Sequence, residues 1–329
     1  MNKSHLTTCF SSSIQEFLEH WHTLGCKCHT DEFVLWSIND YIALSHSQDL
    51  DRSTFELWCS RQKERGLSPN SLRLYQNVVR KFCLYRSRTQ THCFVPERLS
   101  FSKPRPHISP FILQPEDVYR VLAKIGDLPP TPSSPLIPDV LRLAVILLYT
   151  SGLRIGEVLR LTLGDVKPDE GLLYIDRSKF HKSRLVPLSD DTSKEMSRYL
   201  EKRLSSSLDT SPGSSLLGSF FHGVWKGYTD QSLRTNLKNV LRSAAIVTPE
   251  GRCPRVHDFR HSFAVQALLR WYRAGVDVQS KLPVLSHYMG HVSIASTACY
   301  LQWIPDIATE ANLRFEEYSG LLVNAGGAQ

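Results

Sequence analysis

Four prolines, Pro96, Pro104, Pro106 and Pro110, fall within fifteen residues about a third of the way along the chain. Proline fixes φ and lacks a backbone N–H, so this density bars a regular helix and favours extended chain. The stretch 96–110 therefore reads as a linker. It divides the 329 residues into a shorter segment, 10–95, and a longer one, 111–329. A chain of this length has room for two domains. Hydrophobic residues at 41% and charged residues at 22% of the whole chain are ordinary for a folded protein.

The charge is unevenly spread. Lys and Arg number 39 against 32 Asp and Glu, a formal charge of +7, and the pI is about 9.0. Residues 61–105 alone hold eleven Lys and Arg and only two acids, Glu64 and Glu97. The basic excess thus sits in one segment, where it suits a phosphate backbone. Arg73, Arg80, Lys81, Arg86, Arg88, Lys103 and Arg105 are the candidate DNA contacts. The longest apolar run, Leu143–Tyr149, is too short to span a bilayer, so no membrane partner is expected. The N-terminus lacks the basic-then-apolar pattern of a signal peptide. Eight scattered cysteines fit a reduced cytoplasmic setting better than a disulfide framework. Cys26, Cys28 and His29, with His20 and His22 nearby, match the spacing of paired zinc ligands poorly, and no metal site is expected.

Helical periodicity dominates 10–95. Ile14, Phe17, Leu18 and Trp21 form one stripe, and Phe33, Trp36 and Tyr41 suggest another. Ser68-Pro69 is a start signal for a helix that buries Leu72, Tyr75, Val79 and Phe82. Beyond the linker, Gln114-Pro115-Glu116-Asp117 opens a helix, and Asp139–Tyr149 is apolar enough to be a core helix. Ser151-Gly152 breaks it, and another begins near Arg154. Leu172–Ile175 and Leu185–Leu188 flank a basic loop as a β-hairpin. The fold class expected is mainly α with a small antiparallel β-sheet.

Four islands carry possible chemistry: Ser151-Gly-Leu-Arg-Ile-Gly-Glu157, the hairpin loop with Lys179, His257-Asp-Phe-Arg-His261, and Gly290-His291 followed by Tyr300. At about 100° per residue, Val256, Phe259, Phe263 and Ala267 share one stripe. His257 and Arg260 then fall on the adjoining face, where an imidazole and a guanidinium can address one phosphate.

The ordered set Arg154, Lys179, His257-x-x-Arg260, His291, Tyr300 resembles the tyrosine recombinase/integrase family over roughly residues 110–310. The resemblance implies a helical core-binding domain at 10–95 and a catalytic domain at 111–329 with a C-terminal helical tail. It makes Arg154 and Arg260 a phosphate clamp, Tyr300 the nucleophile, and His257 and His291 their companions. Lys179 becomes the general acid, with Lys182 as its rival and His181 close by. Glu157 becomes a supporting acid. Phe259 stands where the family's box usually has Leu, and the hairpin lacks the frequent Gly after its Lys.

The activity so implied is site-specific cleavage and rejoining of DNA through a 3′-phosphotyrosyl link, with no cofactor. A bacterial, nucleoid-associated enzyme that integrates, excises or transposes a mobile element is the expected setting. The partner is double-stranded DNA, bound by four protomers on two sites, with co-encoded recombinases as further partners. The latter follow from the run Leu268-Leu-Arg-Trp-Tyr-Arg-Ala-Gly-Val276, which resembles mobile-element integrases. Residues 304–321, with Ile304, Ile307, Leu313, Phe315, Tyr318 and Leu321, read as a terminal helix that docks on a neighbour or folds back. The competing readings are a type IB topoisomerase-like enzyme, a non-catalytic DNA-binding protein and a metal-dependent nuclease.

Overall fold

The computed structural model describes residues 8, 10–26, 28–90, 92–104, 109–176, 183–206 and 208–303. Lys179, His181, Lys182, Arg105 and the segment 304–321 lie outside the described residues. The chain divides into two compact units, 1–108 and 109–329. Among the described residues no helix is long and apolar enough to cross a membrane.

Among its described residues the first unit contains four α-helices: α1 (Ser11–Thr23), α2 (His29–Leu44), α3 (Arg52–Glu64) and α4 (Pro69–Arg86). Each has one apolar face, and the four faces meet in a core that includes Phe17, Val34, Ile38, Trp58, Val79 and Phe82. The starts are set locally. Asp51 accepts a hydrogen bond from the Thr54 N–H at 2.7 Å, and Ser68 caps α4 ahead of Pro69. Such caps satisfy amide groups that the first helical turn leaves unpaired.

The expected stripe on α2 needs correcting. Phe33 is 60% exposed; Trp36 and Tyr41 do pack partly buried against the core, but the fully buried face is Val34, Leu35, Ile38 and Ile42. That aliphatic set keeps a tighter helical period than the three aromatics. Phe33 lies against the Tyr75 ring, with centroids 6.1 Å apart.

The second unit is built around α6 (Ile137–Thr150), which is buried on nearly every side. Its neighbours are α5 (Pro115–Gly126), α8 (Asp190–Ser205) and α10 (Val256–Arg273). Short α7 (Ile155–Arg160) follows α6 directly, and α9 (Asp230–Ser243) packs on α5, α7 and α10. α11 (Val278–Met289) lies against α10 and is followed by α12 (Ala295–Ala298).

A three-stranded antiparallel sheet joins β1 (Val166–Lys167), β2 (Leu172–Ile175) and β3 (Arg184–Pro187) in that order. Leu173 pairs with Val186, so one face of the hairpin enters the core. The outer strand is one residue earlier than its leucines suggest. Leu185 is 55% exposed while Arg184 and Val186 are buried, because period-2 alternation forces neighbours to opposite faces. A second hairpin, β4 (Gly218–Phe221) and β5 (Val224–Gly227), was not expected. Its turn is His222-Gly223, with φ of 49° and 76°. Positive φ at both central residues is the geometry that matches strand twist, though His-Gly is a weaker signal for it than Asn-Gly.

Gly152 and Gly290 hold positions closed to other residues. A Cβ on Gly152, where φ is +58°, would meet the Phe263 ring at 2.2 Å. Gly290 ends α11 in the left-handed region at φ +67°, and a Cβ there would come within 2.8 Å of the Arg184 guanidinium. Gly290→Ala is therefore expected to lose about 1–2 kcal/mol of stability from backbone strain alone. A urea titration checks this; an unchanged midpoint contradicts it.

Candidate active site

The end of α11 gathers three arginines from three separate segments. Arg184 Nε donates to the Tyr288 carbonyl at 2.9 Å. Arg260 Nη2 donates to Met289 O at 2.8 Å, and Arg154 Nη2 to Gly290 O at 2.7 Å. The last carbonyls of a helix lack intrahelical partners and carry the negative end of its dipole, so cations anchor there. Arg260 also donates through Nη1 to the Gly152 carbonyl, which ties α10 to the break after α6.

Glu157 balances part of this charge. Its carboxylate accepts from Arg154 Nη1 at 2.8 Å and from Arg184 at 3.1 and 3.0 Å. It also accepts from the Arg154 backbone N–H at 2.9 Å, which fixes the start of α7. Burial would raise the carboxyl's pKa; the Arg184 hydrogen bonds, the Arg154 amide and both positive charges outweigh it and hold the group at about 2. One carboxylate facing three guanidiniums leaves the cluster with surplus positive charge. Burial and the nearby Arg154 accordingly lower the pKa of Arg260, which is only 1% exposed.

The histidines and the tyrosine lie beside these cations. His257 and His261, one turn apart on α10, meet edge to face with ring centroids 4.5 Å apart. His261 Nδ1 lies 3.1 Å from the Tyr300 hydroxyl. His291 stacks nearly parallel to Tyr300 at 6.3 Å, and its Nδ1 is 2.8 Å from Thr297 Oγ1. Tyr300 is 3% exposed. Burial pushes its phenol up to about 12, against the downward pull of Arg260 and Arg154.

His257 and His291 are both drawn down to about 4, first by burial and then by the arginines. His257 is nevertheless an exposed residue, so solvent screens part of its shift and His291, which is less open, carries the firmer value. Both rings are neutral near pH 7. Folded pKa values below the unfolded 6.5 mean that the unfolded chain takes up protons first. Stability is then full above pH 6.5 and falls as the pH drops towards 4. Denaturant titrations across that window should show the decline, and His291→Gln should flatten it; an unaltered slope would contradict the low His291 value.

Arg154, Glu157, His257, Arg260, His291 and Tyr300 are thus brought to one place. Lys179 and its rival Lys182 lie outside the described residues. Two residues at the site were not singled out from sequence. Arg184 was hidden beside a hydrophobic strand, although alternation against Leu185 could have turned it inward. His261 stood inside the His257 box, one helical turn on, and was given no role.

The basic residues of the first unit divide. Arg88 and Lys103 are exposed. Arg73 is held by the Ser102 carbonyl at 3.1 Å, and Arg80 by the Pro96 carbonyl. Lys81 pairs with Asp31 at 2.8 Å and sits 3.8 Å over the Trp21 ring. Arg86 corrects the expectation of a DNA contact. It is only 6% exposed, pairs with Asp49 and Gln90, and lies over the Phe10 ring. Its place on α4 turns it into the core, where its stem packs among aromatics. Among the described residues, no group of three or more His, Cys, Asp or Glu could hold a metal ion.

Comparison with known proteins gives the family of the chain. A model of the phage integrase family matches residues 131–304. The chain is 32% identical to y4rB of Sinorhizobium fredii, named as an integrase/recombinase, over 93% of this chain and 97% of that one. It is 28% identical to the tyrosine recombinase XerA of Thermococcus kodakarensis, over 87% of this chain and 89% of that one. Among solved structures, the Tn1549 transposon integrase in complex with circular intermediate DNA superposes with a TM-score of 0.64. That match covers 93% of this chain and 99% of the other at 16% identity, a likeness of fold. The chain belongs to the phage integrase family of tyrosine recombinases.

Proposed function

We propose that this chain cuts and rejoins duplex DNA, with Tyr300 as the nucleophile on a phosphodiester held between Arg154 and Arg260. The observation that carries the reading is the anchoring of both guanidiniums on adjacent carbonyls at the end of α11, beside the Tyr300 phenol. Displacement at phosphorus builds charge on the non-bridging oxygens. Preorganised cations stabilise that charge without reorganising as it forms. Glu157 and Arg184 act as supports that keep Arg154 in place. His257 and His291 lie close to the same two arginines and supply neutral imidazoles to the bound phosphate.

Attack forms a bond from Tyr300 Oη to phosphorus and releases a 5′-hydroxyl, protonated by Lys179 as general acid. The 3′-phosphotyrosyl link keeps the bond energy, and a 5′-hydroxyl from another strand can reverse the step. This chemistry uses neither ATP nor a divalent ion. The unit 1–108 serves as the core-binding domain, with Arg88 and Lys103 on phosphates. Several protomers, four on two sites, complete the exchange and move a mobile element.

A binding site selected from a random-duplex library supplies the substrate. Two duplexes carrying it, one labelled, are incubated with the protein in EDTA without nucleotide. Joint molecules containing strands from both are expected. Cleavage that requires a divalent ion would overturn the reading. So would relaxation of supercoiled plasmid with no exchange between duplexes, the outcome for a topoisomerase.

A further inference from the structure

Tyr300 needs to lose its phenol proton as it bonds to phosphorus, and its surroundings make that harder. Burial lifts the phenol well above its ordinary range, so little phenolate exists at neutral pH. Some group must take the proton during attack. His257, neutral near pH 7 and close to the clamp, is one candidate. Among the described residues, however, the hydrogen-bond partner of the phenol is His261, whose Nδ1 lies 3.1 Å from Oη. The two rings are set 61° apart with centroids at 5.5 Å, so the imidazole edge addresses the hydroxyl.

We propose that His261 is the group that receives the Tyr300 proton, with His257 in contact behind it. This rests on the reading of Tyr300 as nucleophile. In the tautomer with its proton on Nε2, His261 presents the Nδ1 lone pair to the phenol. As Oη bonds to phosphorus, the O–H bond breaks and the proton moves to Nδ1. The P–O5′ bond breaks on the opposite side, and the leaving oxygen takes its proton from the general acid. When a 5′-hydroxyl later attacks, Tyr300 leaves as phenolate and recovers the proton from the His261 imidazolium.

The placement has a simple origin. His257, Arg260 and His261 project from one stretch of α10, and Arg260 is fixed by two carbonyls. The helix therefore holds the proton acceptor at a set distance from the phosphate clamp. His257 and His261, four residues apart, share a face and touch. His261 is half-buried, so its ring is restrained while one side can still pass the proton on.

The test uses the full chain and a nicked suicide duplex bearing the selected site, with covalent adduct followed in single turnover. His261→Ala is expected to slow adduct formation about 10²–10⁴-fold, the usual contribution of a positioned general base. DNA binding should stay near the parent value, and rates are compared below the melting temperature of the variant, which loses the hydrogen bond to the buried phenol. Added imidazole should restore part of the rate. His261→Asn, whose amide oxygen can accept the phenol hydrogen bond without taking the proton, should remain slow and guards against a folding defect in the Ala variant. Adduct formation by His261→Ala within threefold of the parent would overturn the proposal, as would full activity of His261→Asn. The reading of Tyr300 fails by a different result, adduct formation by Tyr300→Phe.

Discussion

Tyr300→Phe is expected to leave no detectable covalent protein–DNA adduct on a nicked suicide duplex, with DNA affinity within a few fold of the parent. The substitution removes one oxygen and keeps the ring. The stacking on His291 and the packing against the core around Phe263, Leu268 and Met289 are therefore retained. What is lost is the hydrogen bond with His261, worth about 1 kcal/mol of stability, and the atom proposed to bond phosphorus. Removal of a nucleophile from a preorganised site costs on the order of 10⁶ in rate, below the limit of a gel assay. A labelled duplex resolved on a denaturing gel measures this. Adduct formation by the Phe variant would mean that another residue attacks.

Arg260→Ala should slow adduct formation about 10²–10³-fold, a loss of about 2.7–4 kcal/mol of transition-state stabilisation. Arg154→Ala should fall in the same range. The two differ in their side effects. Arg260 is fully buried, and its removal strands the Gly152 and Met289 carbonyls. Such orphaned groups cost about 1–3 kcal/mol in stability. Arg154 is partly open, and Arg184 still satisfies Glu157 when it is gone. Arg260→Lys keeps the charge without the planar fork, so it should refold better than Ala while cleaving slowly. Rates are to be compared below the melting temperature of each variant. Near-parent cleavage by Arg154→Ala or Arg260→Ala would remove that residue from the clamp.

Much of the site was legible because its parts are local signals. Ser151-Gly152 before Arg154 announces a helix start, and the arrangement of His257 and Arg260 follows from helical geometry. The apolar run in α6 marks a core element without any knowledge of its partners. What stayed hidden depends on contacts between distant segments. Arg184 is buried because Glu157 and the Tyr288 carbonyl meet it, and neither is near it in sequence. Arg86 lies on a basic helix yet turns inward to Asp49 and Phe10, which a charge count cannot reveal. His261 gains its contact only when the segment after α11 returns Tyr300 to α10. The hairpin at Gly218–Gly227 was missed because its strands are short and its turn carries no Asn-Gly.

The claim on which the rest depends is that one phosphate is held by Arg154 and Arg260 while the Tyr300 phenol attacks it. The most direct measurement is mass spectrometry of the proteolysed adduct formed on the suicide duplex. The prediction is a single modified peptide with the nucleotide 3′-phosphate on Tyr300. A phosphate bonded to any other side chain would contradict it.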